Sequence, residues 1–407
     1  FLFGAGAFSG CSRSPVFKAI PHLIAPEEVV PGKALWYATT CGACGAGCGA
    51  LVKVREGRPI KLEGNPSHPL SQGGLCALGQ ASVLELYDSR RLKGPLLKGA
   101  PSSWSESDSA VAAALRKARH ERGSVRVLTG TVNSPTLERS ISTMLAGLPD
   151  ARHVSYDALS SSAILDAHER THGRRVLPRY RFDEADVIVG IDADFLGTWI
   201  SPVEHSASWR KRRVPGGTPP RMSFHAQFES RMSLTGANAD RRILLPAGSE
   251  GLLAAHLARA LARRAKVSDL YDGLPPCPLD LSELEALADR LWAVRKRGLV
   301  VCGANDLAAQ AAVNSANELL GAYGTTLDIR RPSFQRLGSD AALAGLLAEL
   351  RAGTVGVLIV HGCNPAAELP SVGGSWEEAL AKVGFFVSTS THLDETTRPA
   401  AAVCTDH

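Results

Sequence analysis

The stretch CGACGAGCG at residues 41–49, together with Cys76 in GGLCALG, decides how this chain is read. Its cysteines, Cys41, Cys44, Cys48 and Cys76, follow the spacing C-x2-C-x3-C-x27-C. Three clustered sulfurs and a fourth that returns can surround an iron–sulfur cube, which points to electron transfer. Gly42, Gly45, Gly47 and Gly49 lack the Cβ atoms that would obstruct a tight wrap. A hairpin can carry the chain back: 51–55 and 59–63 read as strands around Glu56-Gly57, followed by the turn-rich GNPSHP at 64–69. Structural zinc also takes four thiolates, although usually from two C-x2–4-C knuckles. A zinc site or an empty one therefore stays open beside the cluster.

The 407 residues exceed the usual single core, so two or three domains are expected. Apolar residues make up 44% and charged residues 21%, a globular balance that excludes a disordered chain. Net charge is only +5. The one dense basic run, SWRKRRVPGG at 208–217, reads as a solvated loop, and it lacks the aromatic platforms of a nucleic acid site. Of the other five cysteines, Cys277, Cys302, Cys363 and Cys404 show no paired framework, and Cys302 and Cys363 adjoin apolar runs where packing is expected.

The fifth, Cys11, follows the apolar FLFGAGAFSG. No run reaches the ~18 apolar residues of a membrane span. The segment reads as the end of an export signal, and FSGC resembles a lipoprotein cleavage box in which Cys11 would be acylated. Phe8 departs from the aliphatic usual there.

Beyond residue 100, short β-rich runs alternate with helical ones, the pattern of parallel α/β layers. Expected strands are 125–129, 187–191, 221–225, 299–303, 325–329, 357–361 and 385–388. Leu253, Leu257 and Leu261 recur at i, i+4; Leu284, Leu287, Leu291 and Val294 recur at helical spacing behind a Ser282/Glu285 capping box. Linkers are expected at 94–107 and 273–278. The resulting units are 1–35 (export-signal remnant and linker), 36–93 (iron–sulfur domain), 108–272 (first α/β domain) and 279–407 (second α/β domain, its C-terminus expected to be incomplete).

From residue 36 to 92, the four cysteines followed by EGRPIKLEGNPSHPLSQGGLC resemble the iron–sulfur domain that opens large subunits of molybdopterin oxidoreductases. FDEADVIVGIDAD (182–194), LPAGSEGLLAAHLARAL (245–261), LIVHGCNPAAELP (358–370) and THLDETTRPAAAV (391–403) continue the likeness in order. The resemblance implies a small iron–sulfur domain followed by Rossmann-like parallel-sheet domains. Three departures bear on molybdenum. Leu78 stands two after the fourth cysteine, where the family carries Lys or Arg. Ser160 falls at the metal-ligand position when RTHG (170–173) is aligned, in a serine run that reads equally as a helix start. GIDAD (190–194) replaces the first G-x-N-P loop, whereas Gly362-Cys363-Asn364-Pro365 is kept, and Asp192 or Asp194 would oppose a cofactor's phosphates.

ESRMSLTGANADRR (229–242) and GGLCALGQASVLELYDSRRLKGP (73–95) are most similar to the molybdenum-free half of the iron–sulfur subunit of bacterial alternative complex III. That resemblance implies one [4Fe–4S] cluster without molybdopterin, and partners that are the membrane quinol-oxidising and haem subunits of a respiratory complex. It also implies a ferredoxin-like domain in the complete chain and a place at the periplasmic face of the cytoplasmic membrane. The same fold would suit a catalytic molybdenum or tungsten enzyme, and a non-redox scaffold with zinc or an empty site would suit the departures.

Overall fold

The computed structural model describes residues 29–121, 123–216, 218, 220–267, 270–369 and 376–406. Cys11 and the apolar segment before it lie outside the described residues.

An antiparallel meander comes first: β1 (Ala34–Thr40), β2 (Gly49–Arg55) and β3 (Arg58–Gly64). The hairpin between β2 and β3 is as expected, since Glu56 and Gly57 take φ of 50° and 80°, the left-handed pair of a type I′ loop. β1 has no counterpart among the expected strands; five of its seven residues are exposed, so no buried face marks it. The cysteine loop joins β1 to β2 and is closed where the Cys41 N–H donates to the Cys48 carbonyl at 2.8 Å. Helix α1 (Ala77–Ala81) starts directly after Cys76.

The chain then runs β4 (Leu96–Leu97), β5 (Ala100–Pro101), α2 (Trp104–Glu121), β6 (Ser124–Thr129), α3 (Pro135–Ala146) and β7 (Asp150–Ser155). Next come α4 (Ser162–His172), β8 (Leu177–Tyr180), β9 (Val187–Ile191), α5 (Pro202–Arg213), β10 (Phe224–Glu229), α6 (Leu234–Ala237), β11 (Arg241–Leu244) and α7 (Glu250–Ala265). There follow α8 (Leu281–Ala293), β12 (Gly298–Cys302), α9 (Leu307–Leu320), β13 (Leu327–Ser333) and α10 (Asp340–Ala352). Last are β14 (Val355–His361), α11 (Pro365–Glu368), α12 (Trp376–Leu380), β15 (Phe385–Ser388) and β16 (Ala402–Val403).

The α/β class is observed. A seven-stranded sheet has the order β5-β4-β16-β15-β14-β6-β7, parallel from β16 to β7 with β4 and β5 added antiparallel. A second sheet, β11-β10-β9-β12, is wholly parallel, and β13 pairs with β8. The sheets do not divide at 273–278. β12 returns to β9 and β14 to β6, so the stretches 108–272 and 279–407 each supply strands to both sheets. Order along the chain cannot reveal this, because a parallel strand looks the same whether its partner is near or far in sequence.

β9 and β12 are buried throughout, as strands covered on both faces must be. One face meets α7, α8 and α9 through Leu253, Leu257, Leu261, Leu287, Leu291 and Val313; the other meets Phe182 and Phe195. Three local expectations are corrected. The N-cap of α8 is Asp280, whose carboxylate accepts the Ser282 N–H at 2.8 Å, so the helix begins before the expected capping box. β10 begins three residues beyond 221, and its pattern is masked because one of its two buried faces is polar, with His225, Gln227 and Glu229 opposite Ala226 and Phe228. Most of the basic run is not a loop: it forms the last turn of α5, where cations suit the helix dipole, and Arg213 pairs with Asp240.

Candidate functional site

Cys41 and Cys48 are buried, Cys76 is half-buried and Cys44 is exposed; the eight cysteines among the described residues are free thiols. The four of the motif act on one another. Burial, then repulsion from Cys44 and the other two, pushes Cys48 up to about 11, and burial also raises Cys41, against a backbone N–H bond from Ala43 and with Cys44, Cys76 and Glu85 adding. The two buried thiols thus resist ionising unless positive charge joins them, which is what iron would supply. The Gly79 N–H meets the Cys76 sulfur at 3.5 Å. A Cβ on Gly79 would lie 3.3 Å from the Cys41 sulfur, so glycine there lets Cys41 approach the start of α1. Among the described residues no group of three or more His, Cys, Asp or Glu converges tightly enough for a single ion. A cube has no such requirement, since each thiolate binds its own iron. The donor set, all thiolates, fits it.

Two loops from the sheets hold the cysteine loop. The amide of Gln335, after β13, donates to the Ala46 carbonyl at 3.0 Å, to Ser201 Oγ at 2.9 Å and to Glu204 Oε2 at 3.1 Å. Asn133, before α3, donates to the Gly45 carbonyl at 2.5 Å. Gly45 is pressed between them: a Cβ would come within 2.5 Å of the Gln335 carbonyl oxygen and 2.7 Å of Arg336 Nη1.

Beyond this contact opens a cavity of about 760 Å³, walled by Cys41, Cys44, Gly130, Tyr156, Arg336 and Cys363. It lies at the carboxyl ends of β6, β7 and β14, where open parallel sheets bind ligands. Inside it, the Tyr156 hydroxyl donates to Glu368, and burial pushes the Cys363 thiol up to about 12. A second cavity, of about 600 Å³, lies on the Cys76 side against Val203, Arg210 and Lys211.

Leu78 points to solvent, 72% exposed. Ser160 precedes α4, where its hydroxyl donates to Asp340 Oδ1 at 2.7 Å and accepts the Ser162 N–H at 3.0 Å. It does not line the large cavity. Asp192 takes φ of 49°, and burial, then Glu250, raises its carboxyl. Asp194 is engaged: its Oδ1 accepts the Thr235 N–H and hydroxyl at 3.1 and 2.8 Å. In the retained loop Gly362 has φ of 64°, and Asn364 donates to Glu395 and accepts from Thr396. Gln335, Arg336 and Asn133 had no motif to announce them. The available signal was position alone, in turns that follow strands.

The family model of the molybdopterin oxidoreductase Fe4S4 domain matches residues 35–88. The menaquinone reductase molybdopterin-binding-like subunit of Nitratidesulfovibrio vulgaris is 26% identical over 411 residues, covering 90% of this chain and 58% of that protein. A nitrate reductase of Symbiobacterium thermophilum is 31% identical over 121 residues, covering 28% of this chain and 15% of that protein. A nitrate reductase of Klebsiella oxytoca is 25% identical over 239 residues, covering 58% and 27%. The chain thus spans less than two thirds of the length of each of these relatives.

Proposed function

We propose that this chain, whose residues 35–88 match the molybdopterin oxidoreductase Fe4S4 domain and which is similar over most of its length to a molybdopterin-binding-like subunit, is a member of the molybdopterin oxidoreductase-like family and serves as an electron-transfer and structural subunit of a membrane quinol oxidoreductase of the alternative complex III type. The Fe4S4 domain supports a [4Fe–4S] cluster; we assign Cys41, Cys44, Cys48 and Cys76 as its ligands. When bound, the cluster takes up and releases one electron at a time. The chain's own part is to bury two of the four thiolates, exclude water from them and clamp their loop through Gln335 and Asn133.

We further propose that no molybdenum is held. The observation that carries this is Ser160, whose hydroxyl is bonded to Asp340 and to the Ser162 amide rather than turned to the cavity. Exposed Leu78 and the engaged Asp194 support it. Quinone chemistry is supported by the name of the Nitratidesulfovibrio relative. The proposed setting is the periplasmic face of the cytoplasmic membrane, beside quinol-oxidising and haem subunits, with Cys11 as a lipid site. One acyl chain anchors only marginally, so protein contacts would do most of the holding. Among the described residues no helix is long and apolar enough to cross a membrane.

One observation favours a second reading, a catalytic molybdenum enzyme. The large cavity is within the range of ligand pockets and abuts the cysteine loop. On that reading Ser160→Ala should abolish metal retention. Purification from cells carrying the complete gene separates the readings. We expect recovery from membranes with haem and membrane subunits and without stoichiometric molybdenum or tungsten. Either metal at one per chain would overturn the molybdenum-free proposal; a soluble cytoplasmic monomer would overturn the complex.

A further inference from the structure

We propose that Arg336 is the positioning residue that sets the reduction potential of the cluster by holding a buried positive charge against its binding loop. The inference rests on the cluster assignment above.

Arg336 is only 8% exposed. Such a charge is normally paired, because taking a guanidinium out of water costs several kcal/mol. Yet among the described residues no carboxylate lies in salt-bridge range of it. The hydrogen bond found for its side chain runs from Nη1 to the adjacent Gln335 carbonyl at 2.7 Å. The guanidinium instead packs on the backbone at Gly45, beside Cys44, and shares the wall of the large cavity with Cys41 and Cys44. Gln335 holds this arrangement by its bonds to Ala46, Ser201 and Glu204. The carboxylates of that wall are engaged elsewhere, Asp157 accepting from Thr131 and Glu368 from Tyr156, and the negative charge that would face Arg336 is that of a cluster with four thiolates.

An oxidised cubane core of charge 2+ with four thiolates carries a net charge of −2. It accepts one electron to reach −3, with no bond made or broken and no proton required. Net charge and surroundings are the protein's means of setting that equilibrium. A nearby buried cation favours the −3 state and raises the potential. Glu85 and Glu204, which act on Cys41 and Cys48, oppose it. Arg336 is thus the counterweight that keeps the cluster reducible.

The test is potentiometric titration of the full chain, reconstituted anaerobically and reduced with dithionite, as wild type, Arg336→Gln and Arg336→Lys. Iron content and visible absorption are read first. If the wild type takes up no cluster, the cluster assignment itself fails. With clusters loaded, Arg336→Gln should become harder to reduce by about tenfold, ~59 mV for one electron, while Arg336→Lys stays near wild type. A loaded Gln variant with an unchanged midpoint would overturn the proposal, as would a folded Gln variant that takes up no iron, which would make the role structural. Should the Gln variant not fold, the Lys variant still decides: a midpoint as far from wild type as tenfold, with the charge retained, refutes the charge as the cause.

Discussion

Gly42 and Gly45 stand three residues apart in one loop and should respond oppositely to the same methyl group. A Cβ on Gly42 meets nothing within 4 Å, whereas on Gly45 it lies 2.5 Å from a backbone oxygen and 2.7 Å from Arg336 Nη1. Neither glycine has positive φ, so conformational strain is not the difference. The Gly45 methyl must gain about 1 Å from the Gln335 backbone, which is fixed by the Gln335 side chain. Overpacking of this kind costs about 1–3 kcal/mol, and each Gln335 bond broken adds about 1 kcal/mol. The sum for Gly45→Ala is about 2–5 kcal/mol, against a gain of ~0.4–1 kcal/mol for Gly42→Ala from a stiffer unfolded chain. Urea titration of anaerobically reconstituted protein, followed by loss of visible absorption, measures it. Equal midpoints for the two variants would refute the clamp as described.

Other consequences follow from buried charge. Burial holds His205 at about 3 and His225 at about 4, below the ordinary 6.5, so the folded state stays neutral while the unfolded chain takes up protons. Their effect is nil above pH 6.5 and destabilising as pH falls from 6.5 toward 4, on the order of 1 kcal/mol per pH unit for each; His205→Phe or His225→Phe should flatten the fall in a pH series of urea midpoints. Arg126 is 3% exposed and donates to Glu349 at 2.7 Å and Asp150 at 3.1 Å across β6, β7 and α10. Glu349→Ala leaves that charge half-paired, and a loss of about 3 kcal/mol is expected in chemical denaturation. Cys44→Ser, at the exposed ligand, should lower bound iron without changing the far-ultraviolet circular dichroism, since the sheets do not depend on it.

Much of the site was legible because its chemistry is local. Three cysteines and their glycines lie within nine residues, and the hairpin that returns Cys76 is announced by Glu56-Gly57. The clamp was not legible. Gln335 and Asn133 reach the loop across separations of 289 and 88 residues, and no spacing rule spans those distances. Predominantly apolar strands such as β9 and β15 match their expected bounds to the residue, whereas β10, with buried His225, Gln227 and Glu229, is displaced. Polar side chains can be buried there because partners wait: Ser233 and Arg242 for Glu229, Ala193 for Gln227. Those partners are visible only in the fold. The division into sheets failed for the same reason, as β12 and β14 join strands more than a hundred residues earlier.

Whether Cys41, Cys44, Cys48 and Cys76 hold a [4Fe–4S] cluster is decided by counting iron, acid-labile sulfide and zinc per chain after anaerobic reconstitution. About four irons and four sulfides are predicted, falling together when any of the four cysteines becomes serine. One zinc without sulfide, or less than about one iron per chain, would contradict it.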